Sequence, residues 1–187
     1  MGILVTNKEY DKLIKRLEFF DTMRNNLLTF SFTAVLTILG VALAMDMNSI
    51  SAWLCLIPFC LIVPFSARIA YYRLASAHIN SFLRQFAAEK MQFEIGTCIV
   101  IENSCNFYHQ IAWLINHEMV LLGVATSCIF YVKYIPSIKT WSCYNCVGLN
   151  VPVILTTIVY LISNSTYNYK NLIDNFEKEW NAYSKNQ

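Results

Sequence analysis

Apolar stretches without charged side chains alternate along this chain with segments in which apolar and charged residues are mixed. The first two such stretches cover residues 25–45 and 47–67, and the second ends at Arg68. A helix needs about 20 mostly apolar residues to cross roughly 30 Å of hydrocarbon, because every backbone polar group must be bonded within it. The linker around residues 46–51 is short, so the two stretches predict an antiparallel transmembrane hairpin.

A second hairpin is predicted within residues 111–162. Residues 141–162 carry no charge and are long enough for one span. Before them, only residues 119–132 are uniformly apolar, about 14 residues, which is too few for a crossing. Adding residues 111–115 gives spanning length, but it encloses His117 and Glu118.

The positions of the lysines and arginines predict the orientation of these spans. Of the 14, five precede the first span, four follow the second and three follow the fourth. Only Lys133 and Lys139 would then lie in an outer loop. Cytoplasmic loops carry an excess of Lys and Arg, so we expect four spans in a cell membrane, with both termini in the cytoplasm. An odd number of spans would weaken this asymmetry.

The charged segments outside the spans have helical patterns. Thr6 and Glu9 fit a capping box, in which each satisfies an orphan amide at a helix start. Apolar and aromatic positions recur at helical spacing in two later segments. These positions are Ile69, Tyr72, Ile79, Phe82, Phe86 and Phe93 in the first segment, and Tyr169, Leu172, Ile173, Phe176, Trp180 and Tyr183 in the second.

The polar faces of these helices mix both signs of charge, whereas helices lying on a membrane usually have a basic polar face. A packed bundle is therefore favoured over interfacial helices. The predicted fold is an all-α integral membrane protein with four transmembrane helices, in hairpins 25–67 and 111–162. Cytosolic helical extensions at residues 1–24, 68–110 and 163–187 would form a small bundle.

Composition agrees with a membrane protein: 56% of residues are hydrophobic and 14% are charged, against roughly 25% charged in soluble domains. The net charge of +2 gives no argument for direct nucleic-acid binding. The first 24 residues alternate bases with acids and lack the basic start and apolar core of a secretory signal.

Candidate catalytic and metal-binding chemistry is sparse. The chain has no phosphate-binding loop, Ser/His/Asp arrangement or metalloprotease helix, and Glu94 and Glu102 have no partner that would make them an acid and a base. We therefore expect neither enzyme activity nor a cofactor. His109 and His117 are eight residues apart without an obvious third ligand, so a metal site is not expected either.

Cys143 and Cys146 form a C-x-x-C motif in or beside the outer loop. A zinc site would require a second pair of ligands on the same side of the membrane. Thioredoxin-like chemistry would require a βαβ context. The pair is therefore expected to be either a local disulfide or two free thiols.

A stripe of small and polar residues runs along the first span at steps of three and four. Its members are Asn26, Thr29, Thr33, Thr37, Gly40 and Ala44. At 100° per residue they fall within an arc of about 80°. Such a stripe allows close packing between helices, or it lines a polar path around the axis of a homo-oligomer. Both interpretations remain open from the sequence.

His117 and Glu118 are the other polar candidates, because ionisable groups within a membrane are often functional. In the alternative interpretation they lie at the cytosolic interface, bonded to the helices around Arg84 and Lys90.

Residues 68–86 read RIAYYRLASAHINSFLRQF and directly follow the first hairpin. This layout resembles small bacterial membrane effectors of the SLATT type, and the membrane subunits of antiphage systems such as Hailong, over about 70 residues. The resemblance implies a protein that forms pores or perturbs membranes.

Two functions follow as expectations. The first is an oligomeric channel or membrane-disrupting effector in antiphage defence, gated by a cytosolic protein partner or a nucleotide signal. The alternative is a non-conducting scaffold that anchors a cytosolic partner at the lipid bilayer. A transporter is less supported, because 187 residues provide few spans and no clear broken helices.

Overall fold

The computed structural model describes residues 5–45, 49–90, 113–114, 117–138, 143–166 and 169–185. Within these ranges the chain is helical and contains no β-strand. Its helices are α1 (Asn7–Ala44), α2 (Ser49–Leu54), α3 (Phe59–Phe86), α4 (Glu118–Ser137), α5 (Cys143–Ser165) and α6 (Tyr169–Lys185), with a 3₁₀ turn at Ala88–Lys90. The expectations for residues 91–112, including the end of the segment 68–110, lie outside the described residues.

Among the described residues, four helical stretches are long and apolar enough to cross a membrane: α1, the run Ser51–Phe86 that joins α2 to α3, α4 and α5. The prediction of an all-α protein with four transmembrane helices is therefore confirmed. Two of these helices are longer than a bilayer requires, because α1 has 38 residues and α3 has 28. Their extra turns carry the charged residues on either side of the first hairpin.

Contacts divide the chain into two compact units. One, here called the membrane unit, consists of Asn25–Ile69 and His117–Ser165. The other, here called the extension unit, consists of Met1–Arg24, Ala70–Asn116 and Thr166–Gln187. The boundary at Arg24 lies inside α1, where the charged and apolar parts of the helix meet.

Within the membrane unit, the second span runs antiparallel to α4. Near the start of α4, a Cβ on Gly123 would lie 3.4 Å from the Phe59 ring. Near the end of α4, Tyr134 meets the ring of Trp53 with centroids 5.8 Å apart. A later position in α4 thus contacts an earlier position in the second span. In the first hairpin, Phe30 of α1 contacts Phe65 of α3, with ring centroids 5.8 Å apart.

A tight turn interrupts the second span between α2 and α3. Pro58 has no backbone N–H and cannot continue an α-helix through this point. The Leu54 carbonyl, four residues before it, accepts instead from the Ile57 N–H at 3.1 Å, and Cys55 and Leu56 also bond three residues back. The 3₁₀ geometry keeps the backbone bonded inside the apolar stretch, as a bilayer requires.

The third span has different bounds from those expected from the sequence. It begins at Glu118, with His117 at its N-cap, and continues to Ser137. Spanning length is therefore reached by running past Lys133, which the sequence had placed in the outer loop. Lys133 is only 2% exposed, and its ammonium is bonded to backbone carbonyls of α1. A charge compensated in this way can lie within the helix.

The extension unit contains the two features that the sequence predicted for it. The capping box forms, since the Thr6 backbone N–H and hydroxyl donate to Glu9 Oε2 at 3.0 and 2.8 Å. An aromatic cluster joins the end of α3 to α6, with the Trp180 ring centroid 5.1 Å from those of His78 and Phe82. Phe176 lies edge-on to His78 at 5.2 Å. The two aromatic faces pack on each other.

Candidate functional site

The stripe on α1 lies on the outside of the membrane unit. All six of its residues are exposed: Asn26, Thr29, Thr33, Thr37, Gly40 and Ala44. The buried face of the helix is formed by Ser31, Val35, Leu39 and Ala42, each between 0% and 3% exposed. At 100° per residue that face is centred roughly opposite Thr33. The stripe therefore does not pack within its own chain, and a Cβ on Gly40 would meet no atom within 4 Å.

The threonine hydroxyls of the stripe donate to their own helix. Thr33 Oγ1 donates to the Thr29 carbonyl at 2.9 Å, and Thr37 Oγ1 donates to the Thr33 carbonyl at 2.8 Å. A hydroxyl has a single hydrogen and two lone pairs. With the hydrogen used, each of these hydroxyls is left as an acceptor on the exposed surface.

Large apolar side chains border the stripe on both sides. Phe30 and Val41 lie on one side and are 56% and 62% exposed, while Leu36 and Leu43 lie on the other and are 61% and 51% exposed. At 100° per residue they are centred about 60° to 80° from Thr33. The exposed surface of α1 is thus a narrow polar strip between two apolar borders.

An open cavity of about 480 Å³ lies beside the first turns of this strip. Its lining residues are Asn25, Leu28, Thr29, Phe32 and Thr33 of α1, together with Glu118 of α4. The structure thereby brings together two sets of residues that the sequence had proposed separately. Glu118 is 93 positions from Asn25 in the chain, and only the packing of α4 on α1 makes them neighbours.

His117 and Glu118 are adjacent in sequence but face different helices. His117 is fully buried, and its ring stacks on Tyr160 of α5 with centroids 5.9 Å apart. Glu118 is half-buried and lines the cavity beside α1. The sequence offered the helices around Arg84 and Lys90 as partners for this pair, and Lys90 itself bonds to Asn7 Oδ1 at 2.6 Å. Of the two residues, only Glu118 adjoins the stripe.

A second set of small polar residues serves packing between α4 and α5. Ser127 Oγ lies 2.9 Å from Thr156 Oγ1 and donates to the Gly123 carbonyl at 2.9 Å. Thr156 and Tyr160 of α5 thus contact α4 and its N-cap residue His117. Gly123 and Ser127 were not singled out from the sequence, although their spacing matches the small-x-x-x-small pattern of close helix pairs.

Lys133 is a buried charged group that the sequence had assigned to the outer loop. Its Nζ donates to the carbonyl oxygens of Leu43 and Met45 at 3.3 and 2.7 Å, and also to that of Ala42. These contacts lie at the C-terminal end of α1, whereas Glu118 lies beside its earlier turns. The helices α1 and α4 therefore run in the same direction, as the first and third of four alternating spans must.

Cys143 and Cys146 lie one turn apart at the exposed start of α5, and both are free thiols. This is one of the two states that the sequence left open. No group of three or more His, Cys, Asp or Glu side chains that could hold a metal ion occurs among the described residues.

Comparisons with protein-family models, with curated proteins and with solved structures return no match.

Proposed function

We propose that several copies of this chain assemble through the exposed strip of α1 and form a channel across the cell membrane. The observation that carries the proposal is the position of the stripe roughly opposite the buried face of α1. A stripe used only for packing inside the chain would lie on the buried face. Because this stripe is exposed, it can contact a neighbouring molecule, water or both.

Polar groups in a bilayer usually face a protein interior or a water-filled path, because hydrocarbon offers them no hydrogen bonds. Asn26 and the outward lone pairs of Thr33 and Thr37 are groups of this kind. In a ring of α1 helices they would face the common axis. The apolar borders, which include Leu36 and Val41, would then contact neighbouring subunits and lipid.

The proposed orientation places both termini and the extension unit in the cytosol, following the distribution of Lys and Arg. A cytosolic protein or a nucleotide that binds the extension unit would then hold the channel shut, so the chain alone would be open. The resemblance to SLATT-type effectors and Hailong-type membrane subunits supports a role in antiphage defence. In that role, opening of the channel would arrest the infected cell.

Ion flux from proteoliposomes tests the proposal. The full-length chain should release a trapped ion, whereas the double variant Thr33→Leu/Thr37→Leu should lose most of this flux because the strip becomes apolar. Thr157→Leu is the matched control. Thr157 is also exposed, and its hydroxyl donates to the carbonyl four residues back, Val153, at 2.8 Å.

Thr157→Leu should therefore retain the flux of the unaltered chain. Expression in bacteria should give the same ranking, with growth arrest for the unaltered chain and for Thr157→Leu only. Absence of flux from the unaltered chain, or equal flux from the double variant, would contradict the proposal. If the chain instead recruits a cytosolic partner to the membrane and releases no ion, the scaffold is the correct function.

A further inference from the structure

We infer that Cys143 and Cys146 form a reversible thiol–disulfide exchange site at the exposed start of α5, and that a hydrogen bond from Tyr134 of α4 favours its dithiol state. The oxidant of this site is a small water-soluble disulfide of the glutathione class. The inference goes beyond the proposed channel and does not depend on conduction.

Both cysteines lie where water-soluble molecules can reach the protein. α5 (Cys143–Ser165) is itself one of the candidate spans, so its first turn lies at one end of that span. Tyr144, between the two cysteines, contacts Trp53 with ring centroids 6.1 Å apart. Tyr and Trp are enriched at the interface between membrane and water. Cys143 and Cys146 are exposed free thiols at this level.

The other described cysteines lie deeper in the spans. Cys55 is buried, and Cys128 lies near the middle of α4 (Glu118–Ser137). Cys60 lies within the apolar stretch of the second span. The exposed thiols of Cys60 and Cys128 are therefore at the depth of the hydrocarbon, which holds no water. Among the described cysteines, Cys143 and Cys146 are thus the pair that a water-soluble disulfide can reach.

The spacing of the two cysteines allows a disulfide that is readily reduced. Side chains three residues apart on a helix have Cβ atoms about 5–6 Å apart, whereas a disulfide needs about 3.5–4.5 Å. The first turn of α5 must therefore contract by about 1–2 Å. The first N–H groups of a helix have no partner within it, so contraction at this end breaks few backbone hydrogen bonds. Exposed or distorted disulfides are the labile ones.

Exchange proceeds in two steps. The thiolate of one cysteine attacks the small disulfide RSSR, which forms a mixed disulfide and releases one RS⁻. The thiolate of the other cysteine then attacks the protein sulfur of the mixed disulfide, which forms the internal disulfide and releases the second RS⁻. Two electrons pass from the protein to RSSR, and the two protons lost by the cysteines end on the two RSH molecules.

The proposed orientation places this end of α5 outside the cytosol, following the distribution of Lys and Arg. Disulfides form and persist in oxidising compartments of this kind, whereas the cytosol keeps thiols reduced. In this orientation the pair responds to the redox state outside the cytosol.

Tyr134 connects the turn that carries the cysteines to α4. Its hydroxyl donates to Asn145 Oδ1 at 3.0 Å, and Asn145 lies between the two cysteines in the chain. The Tyr134 side chain is 2% exposed and stacks on Phe130 with ring centroids 4.8 Å apart. Because packing holds Tyr134 in place, contraction of the turn weakens its hydrogen bond to Asn145. The hydrogen bond therefore favours the dithiol over the disulfide.

The full-length chain in detergent micelles, equilibrated with mixtures of oxidised and reduced glutathione, tests the inference. After alkylation of the free thiols, the mass of the peptide that contains residues 143 and 146 gives the fraction in each state. The unaltered chain should form the internal disulfide, with loss of two hydrogens, and excess reduced glutathione should reverse it. Cys143→Ser and Cys146→Ser should each carry a glutathione adduct on the remaining cysteine instead.

Tyr134→Phe should shift the exchange constant towards the disulfide about two- to tenfold, the contribution of a typical hydrogen bond. Tyr131→Phe is the matched control and should leave the constant unchanged. Tyr131 also donates from α4 to α5, but its acceptor is the Leu149 carbonyl, 2.6 Å away and beyond the turn. If Tyr134→Phe fails to fold, Asn145→Ala removes the acceptor of the same hydrogen bond and should shift the constant in the same direction.

Two results for the unaltered chain would overturn the exchange site. One is separate glutathione adducts on Cys143 and Cys146 with no internal disulfide. The other is an internal disulfide that excess reduced glutathione leaves intact. An equal exchange constant in the Tyr134→Phe and Tyr131→Phe variants would overturn the role of Tyr134.

Discussion

The ammonium of Lys133 on α4 donates a hydrogen bond to the carbonyl oxygen of Met45, 2.7 Å away, just beyond the C-terminal end of α1. The last carbonyls of a helix have no partner within it and carry partial negative charge. In a membrane protein they need a donor from elsewhere when water does not reach them. Lys133 supplies that donor and fastens the helix that carries the stripe to the second hairpin.

Lys133→Met should lower the free energy of unfolding by about 2 to 4 kcal/mol, because hydrogen bonds to charged groups contribute about 1.5 to 3 kcal/mol each and partial compensation by water is expected. Reversible unfolding in mixed detergent micelles measures this loss. Lys178→Met removes an exposed lysine from α6 and should change stability little. Equal stability of the two variants would show that Lys133 does not cap α1.

The two glycines of contrasting surroundings on α1 and α5 give a second prediction. A Cβ on Gly148 would lie 2.6 Å from the Tyr134 hydroxyl oxygen and 3.3 Å from the Trp53 ring, whereas one on Gly40 would meet nothing within 4 Å. Gly148→Ala should therefore destabilise the membrane unit by about 1 to 3 kcal/mol through overpacking. Gly40→Ala should leave stability unchanged or raise it, because alanine is the better helix former.

The same unfolding measurement compares these two variants. Adding Tyr134→Phe to Gly148→Ala should recover part of the loss, since it removes the nearest oxygen. A Gly40→Ala variant as unstable as Gly148→Ala would mean that the outer side of α1 is covered by its own chain.

The aromatic cluster of the extension unit depends on Trp180. Its ring is half-buried and contacts both His78 and Phe82, so Trp180→Ala should cost about 2 to 4 kcal/mol, near the lower end for large aromatic truncations. Amide hydrogen exchange should then accelerate in α6. Asn175→Ala, at an exposed position of the same helix, should leave the exchange unchanged. Unchanged exchange in the Trp180 variant would show that α6 is held by other contacts.

The capping box predicts a dependence on pH. Hydrogen bonds from the Thr6 backbone N–H and hydroxyl hold the pKa of Glu9 below its ordinary value. The carboxylate thus supports the start of α1 fully above the ordinary pKa of glutamate, and this support is lost as the pH falls through the lowered pKa. Thr6→Ala removes the hydroxyl bond, so it should raise the pKa of Glu9 towards the ordinary value. An NMR titration of the ¹³C-labelled carboxyl group measures it, and an unchanged pKa would contradict the capping role.

Much of this fold follows from local properties of the sequence. Three of the spans can be recognised from the length of their charge-free apolar stretches. The spacing of the residues from Asn26 to Ala44 defines the stripe without any structure. The extent of α4 could not be found in this way. Lys133 reads as a loop residue until the carbonyl of Met45, 88 positions earlier, is placed beside it.

The candidate site depends on tertiary packing to the same degree. Helical spacing shows that Thr33 and Thr37 share a face, but only the burial of Val35 and Leu39 shows that this face points away from the chain's own core. Likewise, nothing in the local sequence shows that His117 and Glu118 face different helices. Their separation follows from the rotation of α4, which turns the first towards α5 and the second towards α1.

The mass of the protein in detergent micelles, measured by light scattering with the detergent contribution subtracted, tests the central claim most directly. For the unaltered chain we expect a single closed assembly of several copies. The Thr33→Leu/Thr37→Leu variant should lose that assembly or form one of different size, while Thr157→Leu should retain it. A mass of one chain for the unaltered protein would contradict assembly through the α1 strip and the channel built on it.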